Sequence, residues 1–185
     1  MVLLGVAGGT LAVQAHRLPK RFAAVVAGQL YRSGEVSPAQ LARVQREYGI
    51  RRVVCLLNAT APVTVAEREA AQRLGLEWCN VPLPGNGAST PADRARIREL
   101  LTDPNAPPTL VHCAAGVNRS GLAVGLYRLH RQHWPLERVL AEMQAFGFED
   151  DGKHESVRLA LEEEARALAA AGDGEPATAR GREKG

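Results

Sequence analysis

An α/β fold, with a mostly parallel central sheet flanked by helices, is predicted by three features of the sequence. Short runs of branched apolar residues alternate with helix-periodic segments through the first two thirds of the chain. Cap and stop residues bracket the helical segments, and the last third carries helices only. "FAAVVAGQLYRSG" reads as one or two extended segments ending in a turn. In "SPAQLARVQREYG", Ser37 caps a helix that Pro38 opens and Gly49 stops, with Leu41 and Val44 facing inward. "IRRVVCLLN" is a buried strand, "TVAEREAAQRLG" a second helix and "LEWCNVPL" a second such strand. After the loop "PLPGNGAST" comes the helix "TPADRARIRELL", with Thr90 as cap and Asp93 three residues on, as in a capping box. "TLVHC" is the next strand, and the spacing of Leu122, Val124, Leu126 and Leu129 predicts a mostly buried helix over 119–133. "PLERVLAEMQAFG" and "HESVRLALEEEARALAAAG" complete a helical C-terminal part, the run "LEEEARAL" reading as a solvated face.

At 185 residues and 45% hydrophobic, the chain can bury one core but not two. The predicted division is an apolar N-terminal segment at 1–21, a single domain at 22–171 and a disordered polar tail at 172–185. "MVLLGVAGGTLAV" is too short to cross a bilayer and lacks the basic leader of a secretory signal. Two readings stay open: a packed segment, or the remainder of a membrane anchor whose upstream half precedes Met1. In the second, "HRLPKR" would keep the domain on the cytoplasmic face of the membrane.

Lys plus Arg exceed Asp plus Glu by only 23 to 20, and the charges interleave, so no nucleic-acid footprint is present. The cysteines are odd in number and show no paired metal spacing. Neither a disulfide framework nor a metal site is expected, and a reducing, cytoplasmic location fits. Cys55 and Cys79 read as small buried hydrophobes; Tyr31, Trp78 and Trp134 read as core or helix-boundary residues.

"LVHCAAGVNRSGLAVGLY" is different. Its segment "CAAGVNR" is the turn from the carboxyl end of a strand to the N-terminus of a helix, where unpaired N–H groups and the helix dipole favour an anion. Ala114, Ala115 and Gly116 let the backbone approach a bound oxyanion, with Val117 and Asn118 completing the loop. Arg119 can fork two hydrogen bonds to a phosphate. The same positive environment favours Cys113 as thiolate, a nucleophile aimed at phosphorus.

His-Cys, five residues, Arg and Ser make up a motif that resembles the signature of the protein tyrosine phosphatase superfamily. "GQLYRSGEVSPAQL…YGIRRVVCLLN" is similar to its atypical dual-specificity branch, and the resemblance runs over residues 22–148. It implies a cysteine phosphatase-like fold and a phosphocysteine formed on Cys113. Arg119 would bind phosphate and the transition state, Ser120 would steady the thiolate, and His112 would tune the loop. No cofactor or metal is implied. The substrate would be a phosphorylated protein or a small phosphorylated molecule; oligomeric state is not indicated.

The pattern departs from the family at the general acid. The resemblance implies an aspartic acid on the loop before the helix preceding the signature strand, yet "PLPGNGAST" has no carboxylate and Asn86 stands at the expected position. Asp93 is the nearest carboxylate and also a helix cap, while Asp150 and Asp151 would serve only if "FEDDGKHE" folds over the site. The neutral side chains of Ala114, Ala115, Val117 and Asn118 count against a highly charged inositol substrate. Alternatives are a nucleotide, RNA 5′-phosphate or inositol phosphate substrate, or a phosphate-binding module with weak catalysis. Arg32 in "LYRSG" reads as a structural residue paired with a carboxylate.

Overall fold

The computed structural model describes residues 17–173. The apolar run at the start of the chain, through residue 16, and most of the tail lie outside the described residues. Eleven elements follow in order: β1 (Ala23–Val26), β2 (Leu30–Ser33), α1 (Pro38–Tyr48), β3 (Arg52–Cys55), α2 (Pro62–Arg73), β4 (Glu77–Asn80), α3 (Pro91–Thr102), β5 (Thr109–His112), α4 (Asn118–Gln132), α5 (Leu136–Ala145) and α6 (Glu155–Asp173).

The five strands order as β1-β2-β5-β3-β4. Only the β1–β2 pair is antiparallel, a hairpin with an irregularity between Ala24 and Val26. The remaining pairs are parallel, which the intervening helices require because parallel neighbours need a crossover. The sequence expectation of a mostly parallel sheet with helices on both faces therefore holds, and the open question about residues 22–34 resolves into two strands.

Alternation along the strands sorts the core into two layers. Tyr31, Val53 and Leu110 face α1 and α2 with Leu41, Val44, Ala70 and Ala71. Leu30, Val54 and Val111 face the larger layer, which α4 threads with Leu122, Val124, Leu126 and Leu129. The caps read from the sequence are present. Ser37 accepts from the Gln40 N–H, and Thr90 and Asp93 exchange hydrogen bonds at the start of α3.

The reading of "LEEEARAL" as a solvated face is corrected. Glu163 is exposed at 58%, but the Glu164 side chain is only 7% exposed. Glu164 accepts from Arg94 Nε at 2.8 Å, contacts Arg98, and lies 2.8 Å from His130 Nε2, tying α6 to α3 and α4. Those partners hold its carboxyl below the ordinary range although burial alone would raise it. Cys79 is also only half-buried, its Sγ 3.4 Å from Glu77 Oε1.

Candidate active site

β5 ends at His112 in the middle of the sheet and α4 begins at Asn118, so residues 113–117 form the turn that the sequence predicted at this junction. No side chain caps α4 at Val117. Its first N–H groups and the positive end of its dipole therefore remain at the loop.

Three successive carbonyls of the loop are drawn to one side. Ala114 O accepts from the Glu35 N–H at 3.1 Å, Ala115 O from Arg21 Nη1 at 2.9 Å, and Gly116 O from Arg32 Nη2 at 3.0 Å. Pulling carbonyls toward the β1–β2 side turns the intervening amides the other way, and the Gly116 N–H points at Cys113 Sγ at 3.3 Å. Gly116 has φ 76°, and a Cβ there would lie 2.7 Å from Gly34 N, so backbone crowding and conformation both demand glycine.

Cys113 Sγ is 3.5 Å from Ser120 Oγ, and both residues are buried. Burial alone would push the Cys113 thiol up. The Ser120 hydroxyl, the Ser120 and Gly116 N–H groups and the Arg119 charge outweigh it and hold the thiol below the ordinary cysteine value. Arg119 Nη1 donates to Leu56 O and Leu83 O, both at 3.3 Å, which fixes the guanidinium against the segments that follow β3 and β4. The loop brings Cys113, Gly116, Arg119 and Ser120 together at the N-terminus of α4.

Arg32 does not pair with a carboxylate by hydrogen bond as the sequence reading held. It is 1% exposed, bonded to Gly116 O and stacked 4.1 Å over the Phe146 ring, so it braces the loop from behind. Burial lowers its pKa to about 10. The signal was available: an arginine inside a short apolar strand must be there for a partner.

The loop before α3 carries no carboxylate near its middle. Asn86 Oδ1 accepts from the Ala88 N–H at 3.1 Å, and Asn86 O accepts from Ser156 Oγ at 3.3 Å. Gly87 packs against Val157 and lies beside Asn118, so the start of α6 borders this loop and the signature turn. Asp93 Oδ2 is engaged by the Thr90 N–H at 2.9 Å and the Thr90 hydroxyl at 2.7 Å, the cap geometry. Asp150 pairs with Arg158 at 3.1 Å and Asp151 with His154 Nδ1 at 2.7 Å.

Sequence reasoning missed Glu67. On α2 it falls on the buried stripe with Thr64, Ala70 and Ala71, and its carboxylate meets the His112 ring, both side chains 0% exposed. A carboxylate on an otherwise small and apolar stripe was the signal.

The tyrosine phosphatase family model matches residues 18–162. The chain is 40% identical over 55 residues to the dual specificity protein phosphatase TpbA of Pseudomonas aeruginosa, covering 30% of this chain and 25% of that one. To the inositol diphosphatase DSP1 of Oryza sativa it is 31% identical over 132 residues, covering 69% of this chain and 57% of the relative. The aligned segments thus span a quarter to just over half the length of these relatives. Among solved structures, the catalytic domain of the PP-IP phosphatase SIW14 of S. cerevisiae aligns with TM-score 0.67 at 20% identity, over 86% of this chain and 97% of that one. TpbA in complex with pTyr aligns with TM-score 0.60 at 26% identity, over 77% and 86% of the two chains. No described helix is long and apolar enough to cross a membrane. A match over 18–162 takes in both layers of the sheet and the whole β5–α4 junction, and by it the chain belongs to the tyrosine phosphatase family.

Proposed function

We propose that the chain is a cysteine-dependent phosphatase acting on phosphorylated proteins, with phosphotyrosine as the preferred ester. The observation that carries this is Cys113 Sγ held between the Gly116 N–H and the Ser120 hydroxyl at the N-terminus of α4. The Cys113 thiolate attacks phosphorus; the S–P bond forms as the bond to the ester oxygen breaks, and the leaving group departs with that bond's electron pair. Water then attacks the phosphocysteine, the S–P pair returns to sulfur, and inorganic phosphate is released. Arg119 and the N–H groups of residues 114–119 bind the phosphoryl oxygens, and the Ser120 hydroxyl donates to sulfur as it leaves. An aryl oxygen leaves readily without a proton, which suits a site whose acid-loop position is Asn86. The buried, low-pKa thiol also argues for a reducing, cytoplasmic setting.

A second reading, an inositol phosphate substrate, is favoured by one feature: Arg21, exposed beside the loop and bonded to Ala115 O, adds a cation that a polyphosphate would use. Turnover of a phosphotyrosine peptide, a phosphoserine peptide and an inositol pyrophosphate by the purified chain separates the readings. The first predicts the highest kcat/KM on phosphotyrosine. A preference of tenfold or more for the inositol pyrophosphate would replace it by the second.

A further inference from the structure

We propose that Glu67 is a positioning residue for this site: it holds His112 as a buried imidazolium at the base of the signature loop and so supports the Cys113 thiolate. The inference rests on the reading of Cys113 as nucleophile. Glu67 Oε2 lies 2.9 Å from His112 Nε2, with both side chains fully buried. The geometry is that of an ion pair without an in-line hydrogen bond, and neither Oε2 nor the ring nitrogens have a hydrogen-bond partner. The other carboxylate oxygen, Oε1, accepts from Trp78 Nε1 at 2.8 Å, so the carboxylate is fixed from β4 as well as from α2. Across the sheet, Cys55 pairs in register with His112, and the Leu56 N–H donates to His112 O at 3.0 Å.

Trp78 holds one carboxylate oxygen, and the buried Oε2 and the His112 ring have only each other at this distance; a carboxylate buried there is compensated when the ring facing it carries the positive charge. Burial opposes charge on the ring, yet Cys55 and Glu67 outweigh it and push His112 up to about 10. Cys55, Glu67 and His112 also offer atoms within 4.8 Å of one another. A separation of 2.9 Å for Glu67 and His112 is nevertheless closer than the roughly 3.3 Å between two ligands on a tetrahedral zinc, so a carboxylate–imidazolium pair fits the space better than a metal ion.

The consequence for the site follows from order along the chain. His112 is the residue before Cys113 and carries the positive end of the pair, with Glu67 on the far side of the sheet from the loop. The charged and titratable groups that face the ring are Glu67 from α2 and Cys55 from β3. Those that act on the thiol are Arg119 and Ser120 from α4 and Arg32 from β2. None of these others is touched when Glu67 is replaced.

The test combines two readouts that do not need turnover. Nitrogen NMR of His112 reads its protonation, and the pH dependence of Cys113 alkylation by iodoacetamide reads the thiol, with melting temperature as the check on folding. In the wild type His112 should carry both protons from pH about 7 to 9. In Glu67→Gln the ring should be neutral at pH 7 and the Cys113 midpoint should rise by about one unit, a tenfold slower alkylation below it. Trp78→Phe, which removes the indole donor but keeps the carboxylate, should move the midpoint the same way by less, and decides the matter if Glu67→Gln fails to fold. A neutral His112 in the wild type, stoichiometric zinc in the purified protein, or an unmoved Cys113 midpoint in the folded variants would each overturn the proposal. A wild type that shows both signatures and hydrolyses no phosphate ester would sink the phosphatase reading instead, leaving the pair intact.

Discussion

Replacing Gly116 by alanine places a Cβ 2.7 Å from Gly34 N, 2.9 Å from Ser33 C and 3.1 Å from Ser33 O. All three are backbone atoms at the end of β2 and the residue after it, and they cannot swing aside as a side-chain tip would. The φ of 76° adds a conformational cost of about 1–2 kcal/mol for any L side chain, and overpacking adds about 1–3 kcal/mol. Gly75→Ala is the internal control: its φ is 67°, but nothing lies within 4 Å of the new Cβ, so only the conformational cost applies. For a domain of this size the extra 1–3 kcal/mol corresponds to a melting temperature about 2–12 °C below that of Gly75→Ala. The cheapest relief is a shift of the loop that carries the Gly116 N–H away from Cys113 Sγ. Loss of one hydrogen bond to a charged sulfur is worth about 1.5–3 kcal/mol, roughly a 10- to 150-fold drop in kcat/KM on para-nitrophenyl phosphate. Scanning calorimetry and steady-state kinetics on both variants make the comparison. If Gly116→Ala melts with Gly75→Ala and keeps wild-type kcat/KM, the crowding of Gly116 against β2 does not shape the site.

Arg119→Lys should lower kcat/KM by more than about tenfold, because one ammonium cannot reproduce a planar two-point contact; a smaller loss on para-nitrophenyl phosphate would mean the guanidinium does not touch the phosphoryl group. Asn86→Asp should raise the rate on phosphoserine more than on an aryl phosphate, by up to about a hundredfold if the carboxyl reaches the leaving oxygen, and should add a basic limb to the pH profile. No change there, together with selective loss on phosphoserine in Asp151→Asn, would put the acid in the loop before α6. Stability should depend on His112. A group raised from 6.5 to about 10 contributes fully below the unfolded value and loses that contribution as pH rises through 10. Urea denaturation from pH about 6 to 10 should show this decline in the wild type and a flatter profile in Glu67→Gln; parallel profiles would contradict it.

Local chemistry was readable and long-range register was not. Ser37 with Pro38, and Thr90 with Asp93, announce helix starts because a cap satisfies backbone groups within three residues of itself. The turn from Cys113 to Arg119 was legible for the same reason, since strand, small residues and helix are contiguous. Arg32 was misread because its partner, Gly116 O, is 84 residues away and adjacent only through the β2–β5 pairing. Glu164 was misread because a run of three glutamates has no local sign of which one turns inward; packing of α6 against Arg94 and His130 decides it. Glu67 escaped notice for both reasons, lying on a different layer from the loop and meeting His112 only once β5 enters the sheet centre.

The central claim is that Cys113 becomes phosphorylated during turnover. Rapid acid quenching of the purified chain with labelled para-nitrophenyl phosphate, followed by peptide mapping, tests it directly. Acid-stable label should appear on the peptide that holds Cys113, formed before steady-state release of phosphate and absent in a folded Cys113→Ser variant that retains phosphate binding. Turnover with no label at Cys113, or undiminished activity in Cys113→Ser, would contradict it.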